Sequence, residues 1–200
     1  IPVGIHPTEK IPAVEVVFAT LAAGGKFDHK DGSPYATSGG LHGVGASVVN
    51  FLSEWLEVEV NRDGKVHQME FSRGVKTRVR KGIGNSSKTG TKVNCKPDPE
   101  IFPDIEFKCE MLIGRIRELA YLNKGVTITL TDERGTPKKE TFFAKGGLKE
   151  MVQFLNSRGS NKVLHPEIVY IDTETNGIGI ELALQYNDGY NENVFSFVNN

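Results

Sequence analysis

The sequence predicts an α/β protein in which helices cover one face of a mixed, largely antiparallel sheet. Three observations predict this fold class: segments that alternate and pair as hairpins, amphipathic helical segments between them, and the lack of a regular strand-helix rhythm. A doubly wound parallel sheet would need that rhythm, so we prefer the largely antiparallel arrangement. With 200 residues, the chain can bury one core and contribute to a second domain.

The strands are predicted from alternation of apolar and polar residues. Residues 56–61 and 67–71 alternate on either side of an Asp63-Gly64 turn, which is typical of a tight hairpin. The other predicted strands are residues 91–96, 126–131, 140–143, 168–173 and 178–186, the last two joined by an Asn176-Gly177 turn.

The helices are predicted from apolar residues that recur with the helical period. In segment 13–22 they lie at i, i+3, i+4 and i+7, which predicts a helix that ends at Gly24-Gly25. Further helices are predicted at residues 46–52, 112–120 and 148–155. Because Gly146-Gly147 and a polar stretch at residues 156–162 flank the last of these, we place a domain boundary near residue 145.

The composition excludes several classes of protein. A formal net charge of -1 provides no long-range field that would hold a DNA duplex, and no apolar run reaches the roughly 20 residues that cross a bilayer. Cys95 and Cys109 lack the close spacing of a redox or zinc motif, and the five histidines show no paired ligand spacing. We therefore expect a cytoplasmic protein with two reduced thiols and no metal site made of protein ligands alone.

The segment from Gly39 to Gly45 is the most informative part of the chain. Its glycines let backbone N–H groups approach an anion at the start of the following helix, so phosphate is the predicted ligand and a flexible turn is the alternative. It is not a Walker loop, because Ala46 occupies the position of the lysine. It is not a dinucleotide fingerprint, because Val48 stands where a small residue is needed and no apolar strand precedes it.

Five segments carry a resemblance to a known family. They are residues 24–27 (GGKF), 38–50 (SGGLHGVGASVVN), 88–91 (KTGT), 117–123 (RELAYLN) and 185–189 (QYNDG). In this order they resemble the B subunits of bacterial type II topoisomerases, with DNA gyrase preferred and topoisomerase IV the close alternative. The resemblance implies a GHKL (Bergerat) ATP-binding α/β sandwich at residues 1–145. It also implies the beginning of a transducer domain at residues 146–200.

The resemblance also implies a nucleotide site. The glycine turn would line the phosphates, and apolar residues near the start of the chain would form walls beside the adenine. The matching positions are Ile1, Pro2, Val17, Gly24, Gly25, Lys26, Tyr35, Gly40, Leu41, His42, Gly43, Val44, Gly45, Thr91 and Val93. Arg62, with Pro2 and Thr91, matches the site of aminocoumarin inhibitors.

Several of these matches have a simpler interpretation. Ile1, Pro2 and Tyr35 could be ordinary core or loop residues. Lys26 could be a solvated loop lysine, and Thr91 could be an ordinary turn residue at a strand start. Val17 lies on a helical apolar stripe and could be core only. Arg62 could be a solvated hairpin charge.

The implied cofactors are ATP and Mg2+, but we expect no catalytic residue and no metal ligand within this chain. The family's general base is a Glu, its magnesium ligand is an Asn, and its adenine-reading residue is an Asp, and all three are expected upstream of Ile1. The chain is therefore expected to be cut at both ends and to have negligible ATPase activity on its own.

The expected partners are those of the family: the gyrase A subunit, DNA, aminocoumarin-type inhibitors, and a second copy held through an N-terminal arm upstream of Ile1. No membrane partner is expected. The function implied is that of the ATPase region of a type II topoisomerase, which couples ATP to DNA strand passage. A non-catalytic nucleotide- or inhibitor-binding fragment is the alternative, and an NAD-dependent oxidoreductase is disfavoured by Val48.

Overall fold

The computed structural model describes residues 1–23, 42–190 and 192–198. Two compact units divide the chain, one formed by residues 1–106 and the other by residues 107–198. All strand pairs in both units are antiparallel, and helices accompany the sheets. None of the helices in the described ranges is long and apolar enough to span a membrane.

The described part of the first unit contains two short helices and a four-stranded sheet in the order β3-β2-β1-β4. The central strand β1 pairs with β2 through a tight turn and with β4 on its other side. The elements are α1 (Ala13–Ala19), α2 (Gly45–Phe51), β1 (Ser53–Arg62), β2 (Lys65–Ser72), β3 (Val75–Asn85) and β4 (Gly90–Pro97).

One face of β1 and β2 forms the core of this unit. Val14 and Phe18 of α1 pack on this face, where the side chains are almost completely buried. Because successive strand residues alternate between faces, the apolar members of the alternating pattern all reach the same side. The sheet residues of the core are Leu56, Val58, Val60, Met69 and Phe71. Each such side chain stabilises the fold by roughly 1.5–3 kcal/mol relative to an exposed one.

The turn between β2 and β3 contacts the end of α2. Arg73 and Gly74 both have positive φ, 48° and 82°, as a two-residue type I′ hairpin turn requires. A Cβ on Gly74 would overlap the ring of Phe51, so the absence of a side chain lets the last residue of α2 lie directly on the turn.

An ion pair closes the same end of the sheet. Arg73 Nε lies 2.6 Å from Asp98 Oδ2, and the Asp98 side chain is only 2% exposed. The backbone N–H of Glu100 donates to Asp98 Oδ1 at 3.0 Å. This hydrogen bond, together with Arg73, holds the pKa of Asp98 below its usual range despite the burial of the carboxyl group.

The second unit contains two helices and two separate hairpins. Arg117 of its first helix lies over two aromatic rings, with its Cζ 5.6 Å from the centroid of Phe142 and 5.0 Å from that of Phe154. The elements are α3 (Cys109–Leu122), β5 (Thr127–Asp132), β6 (Lys138–Phe143), α4 (Leu148–Arg158), β7 (Val169–Thr175) and β8 (Ile178–Leu184).

The structure confirms the predicted fold class and most of its elements, with two corrections. Strand β3 was not predicted, because four cations between residues 76 and 81 and the glycines that follow obscure its alternation. The first helix ends at Ala19 instead of Gly24-Gly25, since Thr20 is extended and Ala22 has a φ of 57°. Leu21, expected on the apolar face, is 57% exposed.

Replacement of Gly74 by Ala should destabilise the first unit more than the same change at Gly64. Both residues have positive φ, which costs a non-glycine residue roughly 1–2 kcal/mol. Only Gly74 faces a side chain, and overpacking against Phe51 should add about 1–3 kcal/mol. Urea unfolding of the two variants measures the difference. Equal free energies of unfolding would show that Phe51 moves aside freely.

Replacement of Asp98 by Asn should destabilise the protein at neutral pH, and the difference from the unaltered protein should shrink in acid. The pKa of Asp98 is lowered in the folded state, so its contribution is complete above the unfolded value of about 4 and is lost as the pH falls through the folded value. Chemical unfolding from pH 7 down to pH 2 measures this. Asp63→Asn is the control, because its pair with Arg62 is long and exposed. A constant Asp98→Asn effect across this range would contradict the assignment.

Candidate functional site

An open crevice of about 340 Å³ lies where β1 ends and β4 begins. Three predicted site residues that are distant in sequence, Ile1, Arg62 and Thr91, line it together. The antiparallel pairing of β1 with β4 is what brings Arg62 and Thr91 to one end of the sheet. The remaining lining residues are Asn61, Asp63, Thr89 and Gly90.

Register places Thr91 and one further predicted residue, Val93, on the face of the sheet that carries the core. Thr91 lies opposite Val60, and Val93 lies opposite Val58. Directly paired residues project to the same face, so Thr91 and Val93 extend the core face towards the β4 edge. Val93 is 43% exposed there, unlike its fully buried partner. The face is therefore apolar and accessible beside β4.

Apolar residues from outside the sheet border the same face. Ile1 and Val17 are partly buried and pack against the core cluster, as does Ala46 of α2. Pro2 follows Ile1 and is exposed. The beginning of the chain, α1 and the start of α2 thus meet over one surface, which combines apolar walls with the hydroxyl group of Thr91.

Arg62 is held at the mouth of the crevice by the hairpin turn. Asp63 and Gly64 have positive φ, 53° and 76°, so the turn is tight and fixes the end of β1. The Nε of Arg62 lies 3.7 Å from Asp63 Oδ2, and both side chains are largely exposed. Such a pair contributes little to stability, so the guanidinium remains available to a ligand.

The glycine turn leads into α2. Gly43 has a φ of 62°, Val44 precedes the helix, and Gly45 is its first residue. The residue before the helix, Val44, has an apolar side chain and makes no capping hydrogen bond to the first N–H groups of the helix. Among the described residues, a Cβ on Gly45 would meet no atom within 4 Å. His42 is exposed at the beginning of this turn.

The remaining predicted positions, which are Gly24, Gly25, Lys26, Tyr35, Gly40 and Leu41, lie outside the described residues. Among the residues that are described, no group of three or more His, Cys, Asp or Glu side chains could hold a metal ion.

Sequence reasoning did not single out Asn61, Asp63, Thr89 and Gly90 as crevice residues. The turn at residues 63–64 and the strand start at residue 90 were both visible as patterns, but only the pairing of β1 with β4 joins them. Knowledge of the strand order would have identified these crevice residues, whereas their residue types alone do not indicate them.

Comparisons with known proteins agree with this geometry. A family model described as DNA gyrase B matches residues 147–200. The chain is 49% identical over its whole length to the B subunit of DNA gyrase from Halalkalibacterium halodurans and 52% identical to that of DNA topoisomerase 4 from Enterococcus faecalis. It covers 31% and 28% of those proteins, respectively. The chain thus spans about a third of the length of the curated relatives it matches.

A solved structure matches the fold as well. The crystal structure of the 43K ATPase domain of Thermus thermophilus gyrase B in complex with an aminocoumarin is 38% identical to this chain, with a TM-score of 0.76. The match covers 96% of this chain and 47% of that one. Over its whole length the chain is similar to the B subunits of bacterial type II topoisomerases. Gyrase and topoisomerase IV proteins match it at similar identity.

Proposed function

We propose that this chain is the nucleotide-binding part of an ATP-dependent type II DNA topoisomerase, in which ATP binding and hydrolysis drive DNA strand passage and supercoiling. The observation that carries the proposal is the crevice that joins Ile1, Arg62 and Thr91. It lies on the sheet face against which Ala46 of α2 also packs, directly after the glycine turn.

The residues present fit a nucleotide. Ile1, Val17 and Val93 provide apolar surface for the base, and the Thr91 hydroxyl group can donate or accept a hydrogen bond beside it. The uncapped start of α2 suits an anion, because its N–H groups and the helix dipole both favour negative charge. ATP would supply the phosphoryl group that is transferred to water. Pro2 and the predicted residues outside the described ranges complete this proposed site.

Magnesium belongs to the proposal only for the intact protein. Mg2+ would neutralise the phosphates during hydrolysis. We assign no magnesium ligand and no general base to the residues of this chain. The proposed domains are residues 1–145 for nucleotide binding and residues 146–200 for the beginning of the transducer. The family match that begins at residue 147 supports this division.

The proposed partners are the A subunit, DNA and a second copy of the intact protein, acting in the cytoplasm. With a net charge of -1, this chain does not attract DNA through bulk charge, so we propose that other parts of the enzyme hold the DNA. Aminocoumarin binding is proposed for the crevice, since the related Thermus thermophilus structure is a complex with such an inhibitor.

Replacement of Gly45 by Val should abolish ATP binding by the intact protein without unfolding it. A Cβ at this position would meet no described atom within 4 Å, so we expect the free energy of unfolding to stay within about 1 kcal/mol. The valine side chain would occupy the space through which phosphate approaches the backbone. The affinity for ATP should therefore fall at least about a hundredfold.

Isothermal titration with a non-hydrolysable ATP analogue measures this effect. Gly114→Val is the matched control, since Gly114 is a helical glycine in α3 that also faces open space. Unchanged affinity in Gly45→Val would overturn the assignment of the phosphate-binding turn.

Replacement of Arg62 by Gln should weaken an aminocoumarin about tenfold or more and ATP less than about threefold. Paired hydrogen bonds from a guanidinium to a ligand carbonyl are charge-assisted and depend on its fixed fork geometry. Parallel titrations of the two ligands test whether the aminocoumarin loses more affinity than ATP. Lys65→Gln is the control, because Lys65 lies opposite Arg62 in the hairpin and does not line the crevice. Equal losses for both ligands would argue against an inhibitor-specific role.

A further inference from the structure

A single buried amide, that of Asn50, connects α2 to two other parts of the first unit. Asn50 is completely buried near the end of the helix. Its Nδ2 donates to the carbonyl oxygen of Phe18 at 2.9 Å and to that of Gly74 at 3.4 Å. One side chain therefore joins α2 both to α1 and to the turn between β2 and β3.

The two carbonyl groups lie at structurally defined points. Phe18 is the penultimate residue of α1, where carbonyl groups have no partner within the helix. Gly74 belongs to the turn on which Phe51 lies directly. The far end of α2 is thus attached from two directions, while Val48 and Val49 in its middle are 38% and 46% exposed.

The hydrogen bonds of this amide are only partly satisfied. The Oδ1 atom of Asn50 is buried and has no hydrogen-bond partner among the described residues. A buried acceptor without a partner carries a desolvation cost, which offsets part of the stabilisation from the two hydrogen bonds that Nδ2 donates. A buried polar group that is retained at such a cost is often one that specifies a single arrangement of its neighbours.

We propose that Asn50 is a positioning residue for nucleotide binding. It fixes the orientation of α2 so that the Gly43–Gly45 turn meets the phosphates of a nucleotide whose base lies on the sheet. The inference rests on the proposed function. Because α2 has only seven residues, a rotation at Asn50 is transmitted directly to Gly45, and small displacements of binding groups reduce affinity strongly.

The test compares two ligands in the intact protein. A non-hydrolysable ATP analogue needs both the sheet face and the glycine turn, whereas an aminocoumarin is proposed to bind at Arg62 and Thr91 in the crevice and at the neighbouring Pro2, without the glycine turn. Asn50→Ser should weaken the ATP analogue at least about tenfold and the aminocoumarin less than about threefold. The matched control is Asn94→Ser, because Asn94 Nδ2 donates to Glu57 Oε1 within the sheet. It should leave both affinities within about threefold of the unaltered protein.

Three other results are decisive. Equal weakening of both ligands in Asn50→Ser, or of neither, would overturn the inference and leave Asn50 a purely structural residue. If Asn50→Ser does not fold, Asn50→Gln is used in its place, because glutamine keeps the amide donor but shifts the helix. The weakening of the ATP analogue relative to that of the aminocoumarin then decides in the same way. Failure of the unaltered protein to bind the ATP analogue would overturn the proposed function itself, which separates that failure from a failure of the inference.

Discussion

The first unit depends on the packing of α1 against one face of β1 and β2. Val58 and Val60 are at most 1% exposed beneath Phe18 and its neighbours, and no other group of buried side chains in the described part of this unit is as extensive. The same two strand residues pair with Val93 and Thr91 on β4. The register that buries the core therefore also determines which β4 side chains lie on the core face beside the crevice. A shift of this strand register by one residue would turn the core side chains and the β4 side chains to the other face together.

This dependence explains which parts of the fold could be predicted from the sequence. In the β1–β2 hairpin, apolar and polar residues alternate clearly, and the Asp-Gly pair between the strands strongly favours a two-residue turn. The structure contains both the paired strands and this turn. Strand β3 has neither, because it is an edge strand whose exposed residues are free to be cationic. Edge strands often carry such charges, which discourage pairing with other chains. The pattern that identifies buried strands is consequently weakest there.

The site could be predicted in part only. Arg62 and Thr91 were found through motifs, but their proximity follows from strand pairing, which no local pattern encodes. Two buried polar residues of the first unit were not found at all. Asn50 and Asp98 are almost completely buried, and their residue types normally indicate surface positions. Only the structure shows that the carbonyl of Phe18 and the guanidinium of Arg73 bind them.

Three of the residues proposed to bind ligands, Gly45, Arg62 and Thr91, lie outside the core that stabilises the first unit. Arg62 and Thr91 are exposed at strand ends, and Gly45 faces open space, so changes there should alter affinity with little effect on folding. The core residues beneath them have the opposite property. Asn50 belongs to neither group, since it is buried like a core residue but connects the helix that begins at Gly45. A polar residue in that intermediate position can couple the shape of the site to the packing of the fold, because it constrains orientation without contacting the ligand.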